Sequence, residues 1–118
     1  MTSNADATCL FCRIVAGDLP ADVVHEDDHT LAFRDVNPQA PTHVLVVPRE
    51  HHANAAMLAS EQPQLVAALV NAAGVVAGNE GLGENYRLVF NTGPDAGQSV
   101  FHVHLHVLGG RGFSWPPG

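Results

Sequence analysis

Between Val100 and Leu108 the chain reads Val-Phe-His-Val-His-Leu-His-Val-Leu, with apolar residues and histidines alternating at period two. Alternation of that kind belongs to a strand with one dry face and one wet face. Phe101, Val103, Leu105 and Val107 are expected to enter a core, and His102, His104 and His106 to share the opposite face. Three imidazoles in a row make poor core and poor solubilising surface, so this strand is expected to carry chemistry. Same-face neighbours on a strand sit roughly 6.5 Å apart, which separates the outer two by about 13 Å. A metal ion bonded at about 2.1 Å to each nitrogen reaches two adjacent members easily, and all three only with strain. Separate jobs for separate histidines is the simpler reading, because imidazole serves as nucleophile, acid or hydrogen-bond donor according to its surroundings.

Cys9 and Cys12 form a second candidate, Cys-Leu-Phe-Cys, and are the only cysteines in the chain. In a reducing compartment that spacing fits metal or redox work better than a structural disulfide. The net charge is −7, and the five basic residues, Arg13, Arg34, Arg49, Arg87 and Arg111, are scattered. Nucleic-acid backbones and anionic membranes reward clustered cations, so neither is expected as a partner. A single nucleotide stays within reach, since backbone amides, side-chain amides and imidazolium hold one phosphate locally.

The elements that must position these residues follow from pattern. At 118 residues with 46% hydrophobic and 14% charged, the chain is expected to be one soluble globular domain, residues 8–118, built without disulfides. Residues 1–7 are polar, lack the basic-then-apolar order of an export signal, and are expected to be disordered. A cytoplasmic location is the expectation. Thr8 is placed as the cap of a short helix running to Val15, ended by Gly17-Asp18-Leu19-Pro20. Val23 to Glu26 and Thr30 to Val36 read as a hairpin around Asp27-Asp28-His29. His43 to Val47 is a buried strand stopped by Pro48, and Ala53 to Leu58 a short helical turn. Ser60 is placed as the cap of a helix from about Glu61 to Gly78, with Leu65, Leu69, Ala72 and Val76 on one face. The stretch Leu65 to Ala77 is too short and too rich in Ala and Gly for a membrane span. Tyr86 to Asn91 is a fourth strand and the histidine strand a fifth. Mostly sequential strands, with helices between only some of them, indicate α+β with an antiparallel sheet.

His102-Val103-His104-Leu105-His106-Val107-Leu108 resembles the signature of the histidine triad superfamily, three histidines separated by hydrophobic residues. Asn91-Thr92-Gly93, followed by Gly97-Gln98-Ser99-Val100, is similar to that superfamily's phosphate loop. Gly109-Gly110-Arg111 and Trp115-Pro116-Pro117-Gly118 resemble the carboxyl terminus of its nucleotide-binding (Hint) branch. Gln39-Ala40-Pro41-Thr42-His43 and Gly17-Asp18-Leu19-Pro20 also match, so the resemblance runs from about residue 8 to the end.

The resemblance implies a five-stranded antiparallel sheet with one long helix and one or two short ones, continued across a homodimer. It implies a hydrolase that cleaves the P–N bond of purine nucleoside 5′-phosphoramidates through a nucleotidyl-histidine intermediate. His104 is then the nucleophile, with His102, His106, Ser99 and His43 around it, His43 supporting from behind the triad. Asn91, Gly97, Gln98, Ser99 and His106 would surround the phosphate, and Asp35 would grip the ribose hydroxyls. Leu10, Phe11, Ile14, Phe33, Val36 and Leu45 would wall the base, and Trp115 would reach the partner subunit's site. Some bacterial-type members hold zinc with a Cys-x-x-Cys pair and two histidines. The matching set here is Cys9, Cys12, His51 and His102, a closed tetrahedral shell and therefore structural. Positioning and charge neutralisation suffice for phosphoryl transfer, so no metal is demanded for the chemical step. His52, beside His51, is expected on the surface. Three alternatives remain: a dinucleoside polyphosphate hydrolase of the same superfamily, a nucleotide-binding regulatory scaffold with incidental catalysis, or a metalloenzyme using the histidines as ligands of an open catalytic ion.

Overall fold

The computed structural model describes residues 6–118. The expected disorder of residues 1–5 lies outside the described residues. Asp6 is placed, with its N–H donating to Cys12 Sγ at 3.4 Å. Along the chain come α1 (Leu10–Val15), β1 (Val23–Glu26), β2 (Thr30–Arg34), β3 (Thr42–Pro48), α2 (Ala55–Glu61), α3 (Pro63–Asn79), β4 (Tyr86–Val89) and β5 (Leu105–Gly109). The strands form one sheet in the order β1-β2-β3-β5-β4, and every pairing is antiparallel. No described helix is long and apolar enough to cross a membrane.

The hairpin turn is built by Asp27, whose Oδ1 accepts from the N–H groups of His29 and Thr30 and whose Oδ2 accepts from Thr30 Oγ1. Period-two alternation then gives the sheet two buried faces. Ala32, Val44, Val46, Val103, Leu105 and Val107 pack beneath α2 and α3, with Leu58, Leu69 and Val76. Leu31, Phe33, Leu45 and Val47 face the other way and are covered by Phe11 and the two cysteines of α1. His43 and His106 share this second face, because His106 pairs with Leu45 and His43 lies two residues from it. The histidine side is therefore not wet: His102 is fully buried and His104 nearly so.

Several expectations are corrected. The triad is not one continuous strand. The ladder begins only at Leu105, and upstream of it Val103 N–H bonds to the carbonyl of His52 at 2.7 Å. β3 ends at Pro48, which has no N–H to continue the ladder. Phe101 consequently misses the core and is half exposed. β2 stops at Arg34 and β4 at Val89, so Asp35, Val36 and Asn91 belong to loops. Cys9, not Thr8, caps α1, its Sγ accepting from Cys12 N–H. Ser60 lies inside α2, and α3 starts after Gln62, which makes no side-chain cap bond, with Pro63 in its first turn. His52 is buried, with Glu61 against Nδ1 and Glu50 against Nε2.

Candidate functional site

The cavity under α1 has a volume of about 550 Å³, within the range of small-molecule sites. Leu10, Phe11, Ile14, Phe33, Val36 and Leu45 line it, as do Asp35, Gly97, Ser99, His104 and His106. Val36 is fully exposed and contributes only at the mouth. The structure adds Pro20, Ala21, Asp22, Arg34 and Val100 to the lining. Asn91 and Gln98 do not line it. Gln98 is buried and braces the loop instead: its amide donates to the carbonyls of Ala53 and Val100, while its Oε1 accepts from Gly93 N–H. Gly93 and Gly97 take φ of +88° and +94° in this loop, a region that side chains rarely enter. Asn91 stands behind it, its Nδ2 3.8 Å from where a Cβ on Gly97 would lie. Trp115 is outside the cavity of its own chain and is 83% exposed.

Hydrogen bonds fix the proton positions on the rings. His104 Nδ1–H donates to the carbonyl of His102 at 2.8 Å, which leaves the lone pair on Nε2. Gln39 N–H donates to His43 Nδ1 at 3.0 Å, so His43 carries its proton on Nε2 and donates it to His106 Nδ1 at 2.8 Å. His106 must then be an Nε2–H donor. That nitrogen is buried and, among the described residues, has no partner. An orphaned buried donor costs about 1–3 kcal/mol, a cost that an incoming acceptor would remove. Asp35 sits beside the pair, with Oδ2 3.4 Å from His43 Nε2 and Oδ1 accepting from Asn37 N–H. Phe11 presses edge-on against His104, the centroids 5.1 Å apart. The alternating pattern singled out the triad, but nothing in the sequence marked the Gln39 N–H or the His102 carbonyl that set its tautomers.

Burial dominates the acid–base behaviour. It pushes His104 and His43 below histidine's ordinary value and takes His106 to about 4, with His104 and His43 adding repulsion. A neutral His106 in the native state has a definite sign for stability. The unfolded chain takes up a proton near 6.5 and the native chain only near 4, so stability falls as pH drops through that window. An NMR titration should find the His106 ring still neutral at pH 5, with the urea midpoint lower there than at pH 7.5. A ring titrating at 6.5 would refute this.

A second cluster lies where α1 meets His51 and His102. Cys9 Sγ and Cys12 Sγ each stand 3.4 Å from His102 Nδ1, and Cys12 Sγ is 3.4 Å from His51 Nδ1. All four ligand atoms fall within 4.8 Å of one another. A tetrahedral zinc with bonds near 2.3 Å to sulfur and 2.05 Å to nitrogen separates S from N by roughly 3.6 Å. The observed spacing fits that ion. His102 Nε2–H donates to the carbonyl of Pro48, so Nδ1 offers a lone pair toward the sulfurs. Burial pushes the Cys12 thiol up to about 11, so thiolates here call for a cation.

The family model described as HIT domain matches residues 16–113. A HIT-like protein of Synechococcus elongatus is 50% identical over 109 residues, covering 92% of this chain and 96% of its own. A 14 kDa zinc-binding protein of Zea mays is 44% identical over 115 residues, covering 96% and 90%. The crystal structure of a HIT family hydrolase from Legionella pneumophila superposes with a TM-score of 0.90 at 50% identity, covering 94% of this chain and all of the other.

Proposed function

The chain belongs to the HIT domain family, and on that premise we propose that it hydrolyses purine nucleoside 5′-phosphoramidates, as in the Hint branch. The observation that carries this reading is the tautomer of His104, a neutral ring whose free Nε2 borders the nucleotide-sized cavity. Nε2 attacks the α-phosphorus, the P–N bond breaks, and the amine departs with a proton taken from solvent, which the attacking water returns in the second step. Water then attacks the nucleotidyl-imidazolium, which is a good leaving group, and releases the mononucleotide. His106 Nε2–H donates to a phosphate oxygen, which satisfies this orphaned nitrogen. Ser99 stands on the leaving-group side and Asp35 on the ribose side, while His43 acts only through His106.

Zinc on Cys9, Cys12, His51 and His102 is structural in this reading, its four positions filled by protein. It would tie α1 to the triad. The name of the Zea mays relative and the donor geometry support it. A homodimer is also part of the proposal. β4 is an unpaired sheet edge, and Val70 and Val75 are exposed on α3, so a two-fold partner can continue the sheet and cover both. The exposed Trp115 tail would then reach the neighbour's site.

A dinucleoside polyphosphate fits this cavity poorly. Among the described residues Arg34 is the one cation in the lining, and its guanidinium is held by Glu80 at 2.8 and 3.0 Å and by Asp22 at 3.4 Å. Turnover of adenosine 5′-phosphoramidate should exceed that of diadenosine polyphosphates at least about a hundredfold in kcat/KM, some 3 kcal/mol of differential transition-state binding. The reverse preference would replace this reading with the polyphosphate one.

A further inference from the structure

A second cavity of about 370 Å³ adjoins the first and shares Leu10, Ser99 and Val100 with it. Its remaining lining is Asp6, Thr8, Cys9, His51 and Phe101, with no arginine or lysine among the described residues. A nucleotide whose phosphorus faces His104 fills the first cavity, so the phosphorus substituent passes Ser99 into the second. We propose that this second cavity is the subsite for the leaving amine, and that it selects amines with an apolar stem ending in a cation. The assignment rests on the phosphoramidase reading.

Two observations give the subsite its chemistry. Leu10 and Phe101 are about half exposed, at 48% and 51%, and they border the cavity as apolar ledges on which a stem can lie. The second is a fixed charge. Asp6 Oδ1 is pinned by the Thr8 N–H at 2.9 Å and the Thr8 hydroxyl at 2.7 Å, which fixes the carboxylate at the cavity's edge. A carboxylate and an aromatic face both favour a quaternary ammonium. An anionic substituent meets only repulsion there.

Three adenosine 5′-phosphoramidates test this, with stems alike in length and ending in trimethylammonium, its neutral tert-butyl isostere, or a carboxylate. Dissociation constants are read by calorimetry on His104→Ala protein, which retains the amides intact. The ammonium should bind about five- to tenfold more tightly than the isostere, as one partly screened charge pair allows. The carboxylate should bind more weakly than either. Asp6→Asn keeps the acceptor for Thr8 but removes the charge, so it should flatten the series. Phe101→Ala should weaken the ammonium and the isostere together.

With His104 present, turnover of the unsubstituted phosphoramidate, whose ammonia does not reach the subsite, should be unchanged by Asp6→Asn. A charge preference indifferent to Asp6→Asn, or no binding of any of the three, would overturn the subsite. Failure to hydrolyse the unsubstituted amide would instead overturn the phosphoramidase reading, and the binding series would still decide the subsite.

Discussion

His104→Ala is expected to lower turnover by about four orders of magnitude, the usual scale for removing a nucleophile, while AMP affinity changes only a few-fold. The asymmetry follows from geometry. The ring is nearly buried, with Phe11 against its edge and its Nδ1–H spent on the His102 carbonyl. What it offers to a nucleotide is the Nε2 lone pair, and that lone pair repels a bound phosphate oxygen until it bonds to phosphorus. In the proposed reading the affinity for AMP would come from the apolar wall, from Asp35 and from the His106 Nε2–H, all of which alanine leaves in place. Rapid quenching of the wild-type reaction should trap the nucleotidyl group on His104. Rates within tenfold of wild type, or a label on another residue, would remove His104 from the chemistry.

The sequence exposed the parts of the site that repeat, and hid those that depend on single backbone groups. Alternation over 100–108 identified all three triad histidines and put Val103, Leu105 and Val107 in the core. It misjudged Phe101 and the wetness of the histidine face, because period two says nothing about where a ladder stops or what lies above it. The ladder stops where Pro48 lacks an N–H, and α1 covers the face. Gln98 shows the same limit. An amide in a phosphate loop suggests a donor to phosphate, yet its nitrogen is committed to the carbonyls of Ala53 and Val100. His52 beside His51 gave no sign that it is buried between Glu50 and Glu61, although both acids lie within nine residues of it.

His102 joins the two halves of the site. Its ring nitrogen faces the cysteines, and its carbonyl accepts from the Nδ1–H of His104. Whatever fixes its ring helps to fix the backbone on which His104 is anchored. α1 has six residues, too few to persist as an isolated helix, so its place depends on the packing of Phe11 and on the cysteines.

Cys9→Ser with Cys12→Ser is therefore expected to abolish metal binding and to loosen α1. The wild-type protein, by elemental analysis, should carry about one zinc per chain and the double variant none. Structural zinc contributes roughly 10–16 kcal/mol in small finger peptides, comparable to the roughly 5–15 kcal/mol net stability of a whole domain. Here the face under α2 and α3 has its own core of Leu58, Leu69, Val76, Val103, Leu105 and Val107, so loss of the ion should act locally first. Amide exchange should rise across α1 and around His102, while β2, β3 and α3 stay protected. The cavity, roofed by Phe11, should open with it, so AMP affinity should fall along with turnover, in contrast to His104→Ala. Wild-type protein free of zinc after purification from zinc-supplied cells, or a double variant with unaltered metal content, would defeat the metal assignment. It would leave α1 held by apolar packing, with Phe11 against Phe33 and Leu45.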